Sequence, residues 1–227
     1  MLVRRRGAGN LFPYFRPCPG HRAKGILAAM LRVRGLSRPG LGPVDLDLAA
    51  GEAAALLGPS GAGKSLLMRA IADLDPNHGQ VSLDGQPREA MPAPDWRRRV
   101  TYLAAEPGWW GERASDLFPD PDAARDLLPS LDLPAAMLER PIAELSTGER
   151  QRLALARVLM QAPPVMLLDE PTGSLDQATT RTVEAALRAR LAAGAALLFA
   201  THDEALAARL ARRCLRVRDG RIAEAAP

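Results

Sequence analysis

Aromatic residues are scarce: Phe, Trp and Tyr make up 4% of the 227 residues, so a core must be built from Leu, Ala, Val and Ile. Cysteine is scarcer still. Cys18 and Cys214 form no ligand spacing and support no disulfide framework, which reads as a reduced, cytosolic chain. No apolar run approaches the roughly 20 residues that a bilayer-spanning helix needs, so a membrane role has to come through a partner. The first residues are rich in Arg, Gly and Pro without a continuous apolar segment, so no secretory signal peptide is expected there. Internal repeats are missing as well. The net charge of +4 and the pI of about 9.7 come mostly from arginine. This excess is dilute and spread out, so it reads as a solvated surface, and no nucleic-acid partner is expected.

What is present is an ordinary globular composition, 47% hydrophobic and 25% charged, enough for one domain of the larger kind. Residues 1–29 have no sustained period and are expected to form a disordered tail. The domain is expected over 30–227. Its pattern is short alternating strands (LRVRGL, VDLDL), then apolar strands alternating with helical spacing. That alternation predicts an α/β fold with a mainly parallel sheet covered on both faces. Pro87 to Pro94 reads as a loop, and VTYL (Val100 to Leu103) as a strand. Residues 104–144 read as an irregular loop with an exposed-looking Trp109-Trp110 pair, followed by short amphipathic helices broken by prolines.

The stretch Leu57 to Leu67, LGPSGAGKSLL, organises the rest. Gly58, then four residues (Pro59, Ser60, Gly61, Ala62), then Gly63, Lys64 and Ser65 have the P-loop spacing. Such a loop turns its N–H groups inward around phosphate oxygens. Lys64 can reach the β and γ phosphates, the Ser65 hydroxyl can ligate Mg²⁺, and a helix opening at Lys64–Leu66 adds its positive end. Downstream, VMLLDE (Val165 to Glu170) is an apolar strand that delivers Asp169 and Glu170 at its C-terminal end, where ligands sit in open α/β sheets. Asp169 can hold Mg²⁺ opposite Ser65, partly through water, and Glu170 can act as general base for an attacking water. LSTGERQR (Leu145 to Arg152) admits two readings. Ser146 with Glu149 three residues on is a capping box, and the same helix N-terminus is a second anion site.

Together these motifs resemble an ATP-binding cassette (ABC) ATPase, over roughly residues 30 to 224. GPSGAGKS matches Walker A, LSTGE resembles the signature, VMLLDE matches Walker B, Ser174 to Asp176 matches the D-loop, and Thr201-His202-Asp203 matches the switch histidine. The resemblance implies a P-loop NTPase fold with an antiparallel β subdomain and a short helical subdomain, about residues 106–162. It also implies a head-to-tail homodimer that sandwiches ATP and Mg²⁺. Ser146, Thr147, Gly148 and Glu149 would face the nucleotide of the other subunit. Asp176 would run along the interface, and His202 would hold Glu170 and water in line. The short insert resembles compact bacterial exporter-type cassettes. The implied function is the ATPase subunit of a bacterial ABC transporter, peripheral to the cytoplasmic side of the cell membrane through a separate permease. The alternative is a soluble ABC ATPase serving cluster assembly, DNA repair or translation.

Two features depart from the family's pattern. The aromatic residue that usually stacks on the base is missing from GLSRPGLGPVDL, where Arg38 is the planar candidate; ATP is the expected nucleotide, with GTP open. The usual Q-loop glutamine falls on Ala105, which leaves Glu106 as a further candidate metal contact.

Overall fold

Alternation builds the first sheet. In β1 (Ala29–Arg38) Leu31 and Val33 are buried while Arg32 is exposed, and β2 (Leu41–Ala49) buries Val44, Leu46 and Leu48 in the same way. With β4 (His78–Leu83) and the two-residue β5 (Gln86–Pro87) they form an antiparallel sheet in the order β2-β1-β4-β5. The computed structural model describes residues 29–224, so the expected tail, Ala29 apart, lies outside the described residues.

The second sheet is the scaffold of the site. It orders β10 (Arg221–Glu224), β9 (Arg213–Arg218), β3 (Ala53–Leu57), β8 (Ala196–Ala200), β7 (Val165–Asp169) and β6 (Val100–Leu103). All pairs are parallel except the β9–β10 hairpin. β7 and β8 are buried at every position, as expected of strands covered on both faces. Their alternate residues divide between two apolar layers. Leu167, Leu198 and Leu56 pack with α1 (Lys64–Ile71) and the antiparallel sheet; Met166, Leu168 and Phe199 pack under the helices of the other face. Those helices are α4 (Thr147–Gln161), α5 (Gln177–Ala192) and α6 (Glu204–Leu210), joined by the insert.

Two local expectations change. The proline-rich stretch carries a helix, α2 (Ala93–Arg99), with Pro94 in its first turn, where a missing N–H costs no hydrogen bond. Trp96 on α2 is fully buried and donates Nε1–H to the Ile71 carbonyl at 2.9 Å. Residues 104–144 are more 3₁₀ than α: beside α3 (Pro121–Leu127) they have 3₁₀ turns at Ala114–Leu117, Leu128–Leu131, Ala135–Glu139 and Ile142–Glu144. Frequent prolines stop each helix before it gains a second turn.

The β9–β10 turn braces the phosphate loop. Gly220 (φ 69°) donates to the Ala62 carbonyl at 3.0 Å and accepts from Gly42 at 2.8 Å. A Cβ there would lie 2.4 Å from the Gly40 carbonyl oxygen, so only glycine admits this meeting of three turns.

Candidate active site

The C-terminal ends of β3, β7 and β8 open into one cavity of about 290 Å³. It is lined by Ser60 to Leu66, Asp169, Glu170 and His202, with Ala105 at its side. Three motifs far apart in sequence therefore meet in one place. Its size is at the small end of ligand clefts, and no aromatic side chain lines it, which suits the phosphate end of a nucleotide better than the base.

The phosphate loop is shaped for close backbone approach. Gly58 has a φ of 151°, and a Cβ on it would lie 2.3 Å from the Val217 carbonyl oxygen. α1 has no side-chain cap and no acid in its first turn, in contrast to α4, α5 and α6, which are capped by Ser146, Asp176 and Asp203. Its leading N–H groups are thus left for an anion. Lys64 is 6% exposed, and its Nζ donates to the carbonyls of Gly58 (2.7 Å) and Pro59 (3.0 Å).

Asp169 ends β7, and its Oδ2 accepts from Ser65 Oγ (2.5 Å) and from Tyr102 Oη (3.1 Å). Burial, and then the Asp169 charge, push the Tyr102 hydroxyl's pKa well above its ordinary value, so it stays a donor. Glu170 follows in the left-handed region (φ 48°), an uncommon conformation for a carboxylate residue. Its N–H donates to the Ala200 carbonyl at 3.0 Å, and its carbonyl accepts from the Gln151 side-chain amide on α4. The His202 ring stands beside the carboxylate, Nε2 to Oε1 3.2 Å, without hydrogen-bond alignment. Glu170 Oε1 is buried and has no hydrogen-bond partner among the described residues. Burial raises the Glu170 pKa, and the nearby His202 and Lys64 oppose the rise. A buried, more basic carboxylate with an unsatisfied oxygen suits a general base. Glycine cradle, buried amine and paired acids together fit a nucleotide phosphate with a divalent cation.

Other candidates lie elsewhere. Ser146 caps α4 by accepting from the Glu149 N–H at 3.2 Å, while its own N–H donates to Glu149 Oε2 at 2.8 Å. These bonds from Ser146, with Arg140 adding to them, hold the Glu149 carboxyl below its ordinary pKa. Glu149 is thus committed to the cap. Ser146 and Thr147 are exposed, and Gly148 lets the Ser174 carbonyl approach, 3.1 Å from where its Cβ would be. None of the four lines the cavity of its own chain. Asp176 is exposed and caps α5 through the Thr179 N–H at 2.9 Å.

Two expected contacts are not brought to the site. Glu106 is exposed and outside the cavity lining, where Ala105 stands instead. Arg38 is held in an ion pair with Asp75, which Arg69 also grips at 2.7 Å, and it does not line the cavity. The two arginines, Arg69 first, hold the Asp75 pKa down at about 2. This lowering makes the contribution to stability full above about pH 4 and lost as pH falls from there toward 2; allowing for solvent screening it is worth about 1 kcal/mol. Wild type should accordingly exceed Asp75→Asn in denaturant stability at neutral pH, and the gap should close as pH falls through that window.

Tyr102 and Gln151 were not legible as site residues. A tyrosine in a strand otherwise made of apolar and small residues was the available signal for the first, since a buried phenol seeks a partner. Gln151 had the weaker signal of a buried amide on a helix's core face.

A family model described as ABC transporter matches residues 41–173. The hemin import ATP-binding protein HmuV of Streptomyces coelicolor is 39% identical over 223 residues, covering 89% of this chain and 78% of the relative. Among solved structures, an ATP binding subunit of an ABC transporter superposes with a TM-score of 0.77 at 25% identity, covering 86% of this chain and 89% of that one. A dimeric ATP-binding cassette in a post-hydrolysis state with ADP and Pi superposes with a TM-score of 0.74 at 24% identity, over 87% of this chain and all of that one; it has the same fold.

Proposed function

The chain belongs to the ABC transporter family of ATP-binding subunits, and we propose that it hydrolyses ATP as a head-to-tail dimer to drive a separate membrane permease from the cytoplasmic face. The observation that carries this reading is the single cavity shared by Lys64, Ser65, Asp169, Glu170 and His202. In it, Lys64 and the N–H groups of α1 bind and orient the triphosphate. Glu170 takes the proton of the attacking water, and His202 holds the carboxylate and the water in line. Ser65 and Asp169 would hold Mg²⁺, which supplies charge stabilisation at the phosphoryl oxygens. The exposed Ser146 and Thr147, with the partly exposed Gly148 after them, support a contact with the nucleotide of a second copy, and the exposed Asp176 a place along the same interface. Import and export are served alike by this engine, and the short insert does not decide between them.

The Trp109-Trp110 pair resolves into two roles. Trp109 is half-buried against the larger apolar cluster, whereas Trp110 is 68% exposed with the Arg157 guanidinium 4.0 Å over its ring. An exposed Trp stacked on a partly buried Arg suits an interface anchor. The permease is proposed to dock there. The test is co-purification from gently solubilised membranes of the native host. A stoichiometric multi-span protein is expected with wild type and lost with Trp110→Ala, whose isolated ATPase activity and melting temperature stay as in wild type. Recovery only with ribosomes, DNA or a soluble assembly would overturn the transport role while leaving the ATPase intact.

A further inference from the structure

β6 lies at the edge of the parallel sheet beside β7, with Tyr102 opposite Leu167. Side chains alternate faces along a strand, so Asp169, two residues past Leu167, shares the face of Tyr102. The ring packs against the apolar layer around α1, and its hydroxyl donates to Asp169 Oδ2 at 3.1 Å. Ser65 Oγ donates to the same oxygen, while Oδ1 has no hydrogen bond among the described residues. Asp169 itself is 4% exposed, so both donors stabilise a charge that burial would otherwise disfavour.

The two donors differ in what else they must do. Ser65 is exposed at the first turn of α1, and its oxygen is itself a candidate cation ligand. The phenol makes no second hydrogen bond among the described residues. Its ring is held by packing, on the strand next to the one that carries Asp169.

We propose that Tyr102 is a positioning residue whose hydroxyl holds the Asp169 carboxylate in the orientation that takes a divalent cation beside the bound nucleotide. The inference rests on the reading of Ser65 and Asp169 as the cation-binding pair. Outer partners of this kind set the orientation of a ligand, and losing one typically weakens metal binding by roughly 10- to 100-fold.

The test is a Mg²⁺ titration of the full chain holding a fluorescent ATP analogue, read by anisotropy. Tyr102→Phe keeps the ring and removes the hydroxyl. The expected result is a half-saturating Mg²⁺ concentration raised roughly 10-fold, with analogue affinity in EDTA unchanged. A Tyr102→Phe protein with the wild-type Mg²⁺ response, alongside an Asp169→Asn protein whose response is weakened, would overturn the role of Tyr102 and keep the cation site. A Mg²⁺ defect in Tyr102→Leu that is absent from Tyr102→Phe would assign the effect to the ring and overturn the proposal in the same way. Wild-type affinity indifferent to Mg²⁺ would remove the cation site and the proposal with it.

Discussion

Glu170→Gln is expected to lower ATP turnover by at least about 10²-fold, the range that a positioned general base supplies, while leaving nucleotide binding intact. The substitution preserves shape and removes the basic oxygen. Its surroundings argue that the fold will tolerate it. The backbone is held from both sides, by the Ala200 carbonyl and by the Gln151 amide, and neither contact involves the carboxylate. The side chain is also the one whose ionised form burial disfavours, so a neutral amide relieves a cost. With hydrolysis blocked and ATP still bound, the dimer should accumulate and be seen as a doubled mass by light scattering in ATP but not in ADP. Normal turnover by the variant would remove Glu170 from the role of base. Lost turnover with no ATP-dependent dimer would leave the base standing and count against the sandwich.

The parts of the fold that were legible before the structure are those where one residue type at one spacing has one physical use. Gly58, Gly63, Lys64 and Ser65 belong to that class, as do the buried run Val165–Leu168 and the Asp219-Gly220 turn of the β9–β10 hairpin. The parts that were not legible depend on a partner distant in sequence. Arg38 offered a planar face for a base, and nothing nearby in sequence announces that Asp75 claims it. Trp109 and Trp110 are adjacent and chemically identical, so only packing separates the half-buried ring from the exposed one. α2 was hidden because its prolines, breakers inside a helix, sit at and before its first turn. The signature shows the limit from the other side: the capping box Ser146–Glu149 is real in the chain, and a role toward a second subunit lies in what that cap leaves exposed.

Lys64→Ala is expected to weaken ATP binding roughly 10- to 100-fold, the loss of one charge-assisted contact of about 1.5–3 kcal/mol. The same change should lower the stability of the nucleotide-free protein. Lys64 Nζ donates to the Gly58 and Pro59 carbonyls at 2.7 and 3.0 Å, at a site where the lysine is 6% exposed. Those bonds fold the loop back on its own helix, so the amine shapes the cradle before any phosphate arrives. Removing it leaves two carbonyls without their donor, at a cost of about 1 kcal/mol. Lys64→Arg should not restore binding, because a planar guanidinium cannot make the compact two-carbonyl contact of an ammonium. Thermal denaturation separates the two effects. The variant should melt below wild type without nucleotide, and saturating ATP should raise its melting temperature far less, since ligand stabilisation scales with affinity. A variant that melts like wild type alone but loses the ATP-induced rise would place Lys64 solely on the phosphate. One that keeps the full rise would exclude it from the nucleotide site.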